Sequence, residues 1–583
     1  MNWDLTKIFK NDEVWNTELN NFIESSNKIT SYKGKLNNKK VFQEYLDFSK
    51  ELDIKLEHLY IYAMLKSTLN QKDAKIQEQL NKVQSIYMNF ISSTSFVSSE
   101  IISIGQETIN SFIKDTKYDV NQFNFDKLFR EQNYIKSTNE ELLMSHYNAP
   151  LNNYSNLYDQ LSVADASDVN VTLSTKETLS INVSNFRGYL QTTKSQEDRK
   201  LIFEAAYKPY FDKKNTYASI YLGCIQSRSA QAKARGYDSI LDMVLYSNNI
   251  DKQIYLNLIE TTKSNTDPVK KYFNLRKKYF NLDEHYTYDR PLQLKESKTK
   301  FDYETSKKIC LEAMSKLGGE FYQFGCDVLA NDLVDVYPKD GKSSGAFSCG
   351  VVNLEPYIKM NFDNTIGECF TLAHEAGHSI HTKFSQKYQP HETANYTLFV
   401  AEIASIFNEH LLLDHLLTKI DDKNEKIVML QSAIDGLLGT FYRQSLFADF
   451  EYQAHKYYEE NGSFNHVVLS NIMKDLNKQY YDLDLDKQQY KEAVWAYIPH
   501  FYSTAFYVYQ YATSYAASIM MYENVKNNNG LEDYLTLLKS GGSDYPVELV
   551  KKANVDLTKK DAFLSVVRRL ESLVDELEIL LGE

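Results

Sequence analysis

The sequence predicts a mostly α-helical fold, on three observations. Chain breakers are scarce, with 9 Pro and 20 Gly in 583 residues, below ordinary usage. Apolar residues recur at three- and four-residue steps over long stretches, the period of one helix face. At 583 residues one ordinary core does not suffice, so two or more lobes are expected.

The elements follow in chain order. Residues 1–110 form a helical N-terminal region, clearest in KVFQEYLDFSKELDIKLEHLYIYAMLKSTLN at 40–70. Residues 111–190 are more polar and read as a second region, with turns at NAPLNNYSN and SVADASDVN. Residues 191–583 form the third: the helical pattern resumes at RKLIFEAAYKPYF and runs to the terminal VVRRLESLVDELEILL. The main exception is DGKSSGAFSCGVVNLEPYIKMNF, 340–362. Its glycines, then Val351, Val352, Tyr357 and Ile358, predict a short β-element.

Composition narrows the function. Apolar content of 43% and charged content of 25% are those of a soluble globular protein. A net charge of −13 argues against a nucleic-acid partner, which needs clustered Lys and Arg. The five cysteines, Cys224, Cys310, Cys326, Cys349 and Cys369, are few, odd in number and widely spaced, a reduced pattern. The acidic N-terminus does not resemble a signal peptide, and no apolar run reaches the ~18 residues of a membrane span. A cytoplasmic protein without a membrane partner is expected.

The chemistry concentrates at TLAHEAGHSIHT, Thr371–Thr382. On a helix, His374 and His378 lie one above the other on one face, offering two imidazoles to one zinc ion. Glu375, a quarter-turn round, is placed to reach a water on that ion rather than the ion itself. A histidine at 384 would make the longer H-E-x-x-H-x-x-G-x-x-H pattern, but position 384 is Phe. The third ligand is therefore sought in the apolar helical stretch TLFVAEIASIFNEHLLLDHLL, 397–417. There Glu402 stands among apolar neighbours, where an unpaired carboxylate is costly and a metal would satisfy it. Glu409, seven residues on and on the same face, suits a carboxylate that holds a ligating histidine by its other ring nitrogen. His381 reads as a neighbour of the site, and His410, His415 and Cys369 as packing or surface residues.

With His374, Glu375, His378 and Glu402 in these places, the chain resembles oligoendopeptidase F, of the thimet-oligopeptidase-like zinc metallopeptidases. AKARGYDSILDMVL, GKSSGAFSCG, PYIKMNF, VAEIASIFNEHLL, GTFYRQSLFADFEYQAH and IPHFYSTAFYVYQYATSYAAS match its pattern in order. The resemblance implies two helical lobes enclosing a deep substrate channel, a small β-element beside the active site, and one Zn2+. It implies cleavage of internal bonds in short, unstructured peptides, with Glu375 as general base. Hydrolysis builds charge on the carbonyl oxygen, which positioned donors stabilise. By family pattern His500, Tyr507 and Tyr511 are favoured for that role, with Tyr509 and Tyr502 second. Arg443 is expected to pair with a carboxylate such as Glu451. Departures from the pattern at Phe347, Ala505 and Ser514 bear on substrate preference and leave the metal set intact. Two alternatives stay open, a zinc carboxypeptidase of related fold and an inactive peptide-binding protein. The oligomeric state is not legible.

Overall fold

The computed structural model describes residues 3–582 and divides them between two compact units. Met1–Asn133, Thr299–His415 and Met521–Asn554 make the first, and Tyr134–Lys298, Leu416–Met520 and Val555–Glu583 the second. Both are built almost wholly of helices, as the apolar spacing predicts.

In the first unit the helix Lys39–Leu69 covers the predicted 40–70 stretch, with Asn38 accepting the Lys40 and Val41 N–H groups to cap it. Its buried face, including Phe42, Leu52, Leu56 and Leu59, shares a core with Trp15 and Phe22 of the helix Asp12–Ser26. A smaller cluster joins Trp3 and Leu65 to Leu333, Val351 and Tyr357. The Trp3 Nε1–H donates to the Ile358 carbonyl at 2.7 Å, fixing the chain's start to the sheet.

Three short strands form that sheet. Following the hairpin strands β1 (Val169–Thr172) and β2 (Thr178–Ile181) of the second unit, these are β3 (Val334–Asp335), β4 (Phe347–Cys349) and β5 (Tyr357–Lys359). Their order is β3-β5-β4, with β5 parallel to β3 and antiparallel to β4. The β-element is thus where the sequence placed it, with two corrections. It recruits β3 from outside 340–362, and Val351 and Val352 lie in the turn between β4 and β5. There the Leu354 N–H bonds to the Val351 carbonyl and Asn353 adopts φ +61°.

In the second unit the terminal helix Asp561–Leu581 buries Val566, Leu570, Leu573, Val574 and Leu577, the predicted three- and four-residue steps. Arg199 and Asp289 form a fully buried pair at 2.7 Å, and Arg199 also donates to the Thr193 and Lys194 carbonyls. Here too the sequence misled. NAPLNNYSN is no turn: it lies within the helix Thr138–Asp159, with Pro150 inside it. Packing overrides local preference, because Tyr158 stacks on Tyr502 at 4.0 Å and the Tyr154 ring occupies the space that a Cβ on Gly223 would take. Among the described residues no helix is long and apolar enough to cross a membrane.

Candidate active site

The helix Ile366–Tyr388 carries the H-E-x-x-H motif. Thr365 caps it, its hydroxyl accepting the Glu368 N–H, and Leu372, Ala376, Ile380 and Phe384 are buried along one side. Leu398–Lys419 is the helix that brings Glu402 and Glu409. The two helices touch backbone to backbone at Gly377, where a Cβ would lie 2.6 Å from the Ala404 carbonyl oxygen. Asn408 adds a bond from its side-chain N–H to the Ala373 carbonyl at 3.2 Å.

This contact brings His374, His378 and Glu402 together, with one donor atom from each inside a 4.8 Å span. The Nε2 atoms of the two histidines stand 3.2 Å apart. Glu402 Oε2 is 3.4 Å from the first and 3.8 Å from the second. His374 Nδ1 is 2.6 Å from Glu409 Oε1, so a proton there leaves the Nε2 lone pair facing His378 and Glu402. The Ser405 hydroxyl donates to Glu402 Oε2 at 3.2 Å.

The electrostatics suit a cation. Burial works to depress the His374 imidazolium, but the carboxylates of Glu409, Glu375 and Glu402 outweigh it and lift its pKa to about 9. Burial, with repulsion from His374 and His381, presses His378 down to about 3 and keeps it a neutral donor. Glu375 is 6% exposed; burial raises its carboxyl to about 7, against the nearby His374 charge. Two imidazole nitrogens and one carboxylate, with further carboxylates around them, are the donor chemistry of a catalytic zinc site with an open fourth position.

The sheet supplies the facing wall. Because the Ile358 N–H bonds back to Leu333 of the segment entering β3, Ser348 and Ile358 form a non-hydrogen-bonded pair across β4 and β5. The Ser348 N–H therefore points off the sheet edge, where it reaches the Glu375 carboxyl and holds its pKa from rising further. The Ser348 and Ser379 hydroxyls bond at 2.8 Å and seat β4 on the motif helix. The loop into β4 is held from below by the buried Lys359, whose Nζ donates to the Ser343 and Ser344 carbonyls. A cavity of about 530 Å³ opens here, lined by Ser348, Gly350, His374, Glu375, Tyr396 and Glu402, and by Glu57 from the helix Lys39–Leu69.

The remaining predicted residues fall elsewhere. His381 is buried, stacked on Tyr396 at 3.7 Å, and apart from the donor group. His415 lies 3.5 Å from Glu312, and Cys369 is buried beside Cys310. In the second unit His500 stacks parallel to Tyr507 at 5.6 Å, with Tyr511 edge-on to both rings. All three are half-buried, and burial lowers the His500 pKa. Tyr502 and Tyr509 differ: both are buried, Tyr502 against Tyr158 and Tyr509 against Tyr255, as core aromatics. The expected Arg443–Glu451 pair does not form. Glu451 instead accepts the Phe506 N–H at 2.9 Å, and Arg443 makes no ion pair among the described residues. Sequence reasoning missed Glu57, Tyr396 and Asn408, for which no local spacing gives a signal.

Residues 189–569 match peptidase family M3, and residues 100–167 match the oligopeptidase F N-terminal family. The chain belongs to peptidase family M3 and is a metalloendopeptidase of the oligoendopeptidase F kind. It is 33% identical to oligopeptidase PepF of Bacillus subtilis over 99% of this chain and 87% of that one. A crystal structure of a protein from Chlamydophila abortus matches with TM-score 0.91 and 30% identity, covering 99% and 98% of the two chains. Oligoendopeptidase-F from Enterococcus faecium matches with TM-score 0.75 and 25% identity, covering 98% and 99%.

Proposed function

We propose that this chain is a zinc endopeptidase that hydrolyses internal bonds of short, unstructured peptides in the cytoplasm. The observation that carries the reading is the convergence of His374, His378 and Glu402 within 4.8 Å, beside a buried Glu375 that faces a strand edge. Zinc held by these three side chains would supply Lewis-acid activation of water and of the scissile carbonyl.

The chain's own groups do the rest. Glu409 fixes the His374 tautomer. Glu375, with its pKa raised to about 7, takes the proton of the attacking water and returns it to the leaving amine, a shuttle that works best near the operating pH. The outer edge of β4, where the Ser348 N–H meets Glu375, offers the Ser348 carbonyl as an acceptor beside which an extended peptide can add as a further strand. His500, with Tyr507 or Tyr511, donates to the oxygen on which charge develops. The five free cysteines fit a reducing compartment.

The test is mass spectrometry of a mixture of unstructured peptides of about 7–15 residues after incubation with the protein, with and without a chelator. The reading expects internal cuts that vanish with chelator and return with zinc. Stepwise loss of C-terminal residues would replace it with a carboxypeptidase.

A further inference from the structure

The cavity beside the candidate metal centre lies wholly within the first unit and has two ends. His374, His378, Thr382 and Gln386 follow at four-residue steps along one face of the helix Ile366–Tyr388, and all four line it. The histidines mark the metal end. Thr382 and Gln386 mark the far end, where the chain leaving β4 meets the same helix. A Cβ on Gly350 would stand 2.9 Å from Thr382 Cγ2, and the Gln386 side-chain N–H donates to the Val351 carbonyl at 3.0 Å. From His378 to Gln386 is about 12 Å along the helix axis.

Glu57 enters at that far end from the helix Lys39–Leu69. Its Oε1 accepts the Val352 N–H at 2.9 Å, while His58 Nε2 lies 2.8 Å from the Val352 carbonyl. The two side chains clamp the turn after β4, and the clamp uses one carboxylate oxygen. Glu57 Oε2 takes no partner among the described residues, and Glu57 makes no ion pair there. Two lysines of these helices are engaged elsewhere. Lys50 pairs with Glu392 at 3.0 Å, and Lys383 with Asp327 at 2.7 Å and Glu355 at 2.9 Å. Among the described residues no lysine or arginine lines the cavity.

The charge of Glu57 is therefore unmatched. Three carboxylates line the cavity; Glu402 and Glu375 have tasks in the proposed metal chemistry, and Glu57 has none. Burial raises its pKa, with the Val352 N–H opposing. A half-buried carboxylate is costly alone and is stabilised when a cation with donors reaches it. Ammonium and guanidinium groups supply both the charge and the donors.

We infer that Glu57 is a specificity-determining residue that receives a cationic group of the bound peptide. An extended chain rises about 3.3 Å per residue, which puts that group about three or four residues from the bond at the metal. The group is a Lys or Arg side chain or the peptide's own N-terminal ammonium. Their shared chemistry is a charged nitrogen donor, and the arms of the test separate the sources. The inference rests on the proposed function in one respect, that a peptide occupies this cavity.

The experiment is competition binding, read by fluorescence anisotropy, on the full chain treated with chelator so that peptides stay uncut. The competitors are N-acetylated, C-amidated decapeptides of Gly, Ala and Ser with a single Lys. Their neutral counterparts carry Gln or Nε-acetyl-lysine in its place, and a Lys-free peptide with a free N-terminus completes the set. Lys or the free N-terminus should strengthen binding about tenfold over the neutral counterpart. A gain with Lys identifies the side chain, and a gain confined to the free N-terminus identifies the terminal ammonium. With zinc restored and the Lys walked along the sequence, mass spectrometry should find cuts at a constant offset from the cationic group.

Glu57→Gln keeps an acceptor for the Val352 N–H, should melt as the parent does, and should lose the gain. If it melts lower, Glu57→Asp and Glu57→Asn compare charge with no charge at one length, and only the former should keep part of the gain. Asp53→Asn, at the acid one turn earlier on the same helix, should leave the gain intact. The inference is overturned if no cationic group strengthens binding, if the gain survives loss of the Glu57 charge, or if Asp53→Asn removes it equally. Cuts at no fixed offset from the cationic group would also overturn it. Binding that depends on the cation and on Glu57, with no cutting under zinc, would keep this inference and overturn the endopeptidase reading instead.

Discussion

A side chain on Gly377 would stand 2.6 Å from the carbonyl oxygen of Ala404 and 2.7 Å from the Cα of Ser405. Both obstacles are backbone, so neither can turn aside. Gly377→Ala must push apart the helices that carry the histidine pair and Glu402, at a cost of about 1–3 kcal/mol. Displacement on the order of 1 Å costs about 100-fold in activity. Elemental analysis should find substoichiometric zinc, with helicity by circular dichroism retained. Gly436→Ala is the control, since a Cβ there meets nothing within 4 Å.

Glu409 meets His374 Nδ1 at 2.6 Å, and its proposed role is that of a positioning residue. Glu409→Gln keeps the size but weakens the hold on the tautomer. Zinc affinity should fall about 10–100-fold. Activity measured at rising zinc should recover much of the loss with KM little changed. A loss that zinc does not relieve would give Glu409 a different role.

Glu375→Gln removes the proposed proton acceptor and leaves the three proposed ligands untouched. The variant should bind zinc as the parent does and lose about 100- to 10,000-fold in kcat. Zinc lost together with activity would mean that Glu375 holds the site's structure instead.

The tyrosines can be sorted by deleting single hydroxyls. If the proposed role holds, Tyr507→Phe or Tyr511→Phe should lower kcat about 100- to 1,000-fold with little change in KM. Tyr502→Phe should not, because that ring is packed on Tyr158 inside the aromatic core. Equal and small effects at 507 and 511 would leave His500 as the donor to pursue.

What the sequence disclosed was whatever local spacing encodes. His374 and His378 share a face because four residues make a turn, and Glu402 betrayed itself as a carboxylate in an apolar run. The long helices were readable for the same reason. Partner choice is tertiary and was not. Arg443 and Glu451, eight residues apart on one helix, looked like a pair, yet Glu451 turns to the Phe506 N–H and Arg443 reaches back over Gly439. The hairpin β1–β2 was missed because its strands are four residues each and partly exposed, so alternation is faint. NAPLNNYSN was read as a turn, but the packing of Tyr154 and Tyr158 holds a helix through it, Pro150 included. Among the four clustered tyrosines, only the fold tells that Tyr502 and Tyr509 face inward.

Glu451 makes stability depend on pH in a direction opposite to that of a paired carboxylate. It is fully buried, and burial lifts its pKa from 4.5 to about 8, against the opposing Phe506 N–H and the charge of Arg228. In the unfolded chain the carboxyl loses its proton near 4.5, whereas the folded protein keeps it to about 8. Between those values the folded state binds more protons, so stability falls as pH rises, by up to about 1.4 kcal/mol per pH unit. Above the folded value the decline from this group stops. Glu451→Gln keeps an acceptor for the Phe506 N–H and removes the ionisation. Melting curves from pH 5 to 9 should show the variant gaining on the parent as pH rises, with the difference levelling off above about 8. The comparison cancels the other titrating groups, because they are common to both proteins. A difference that stays constant with pH would show that Glu451 ionises at its ordinary value in the folded chain.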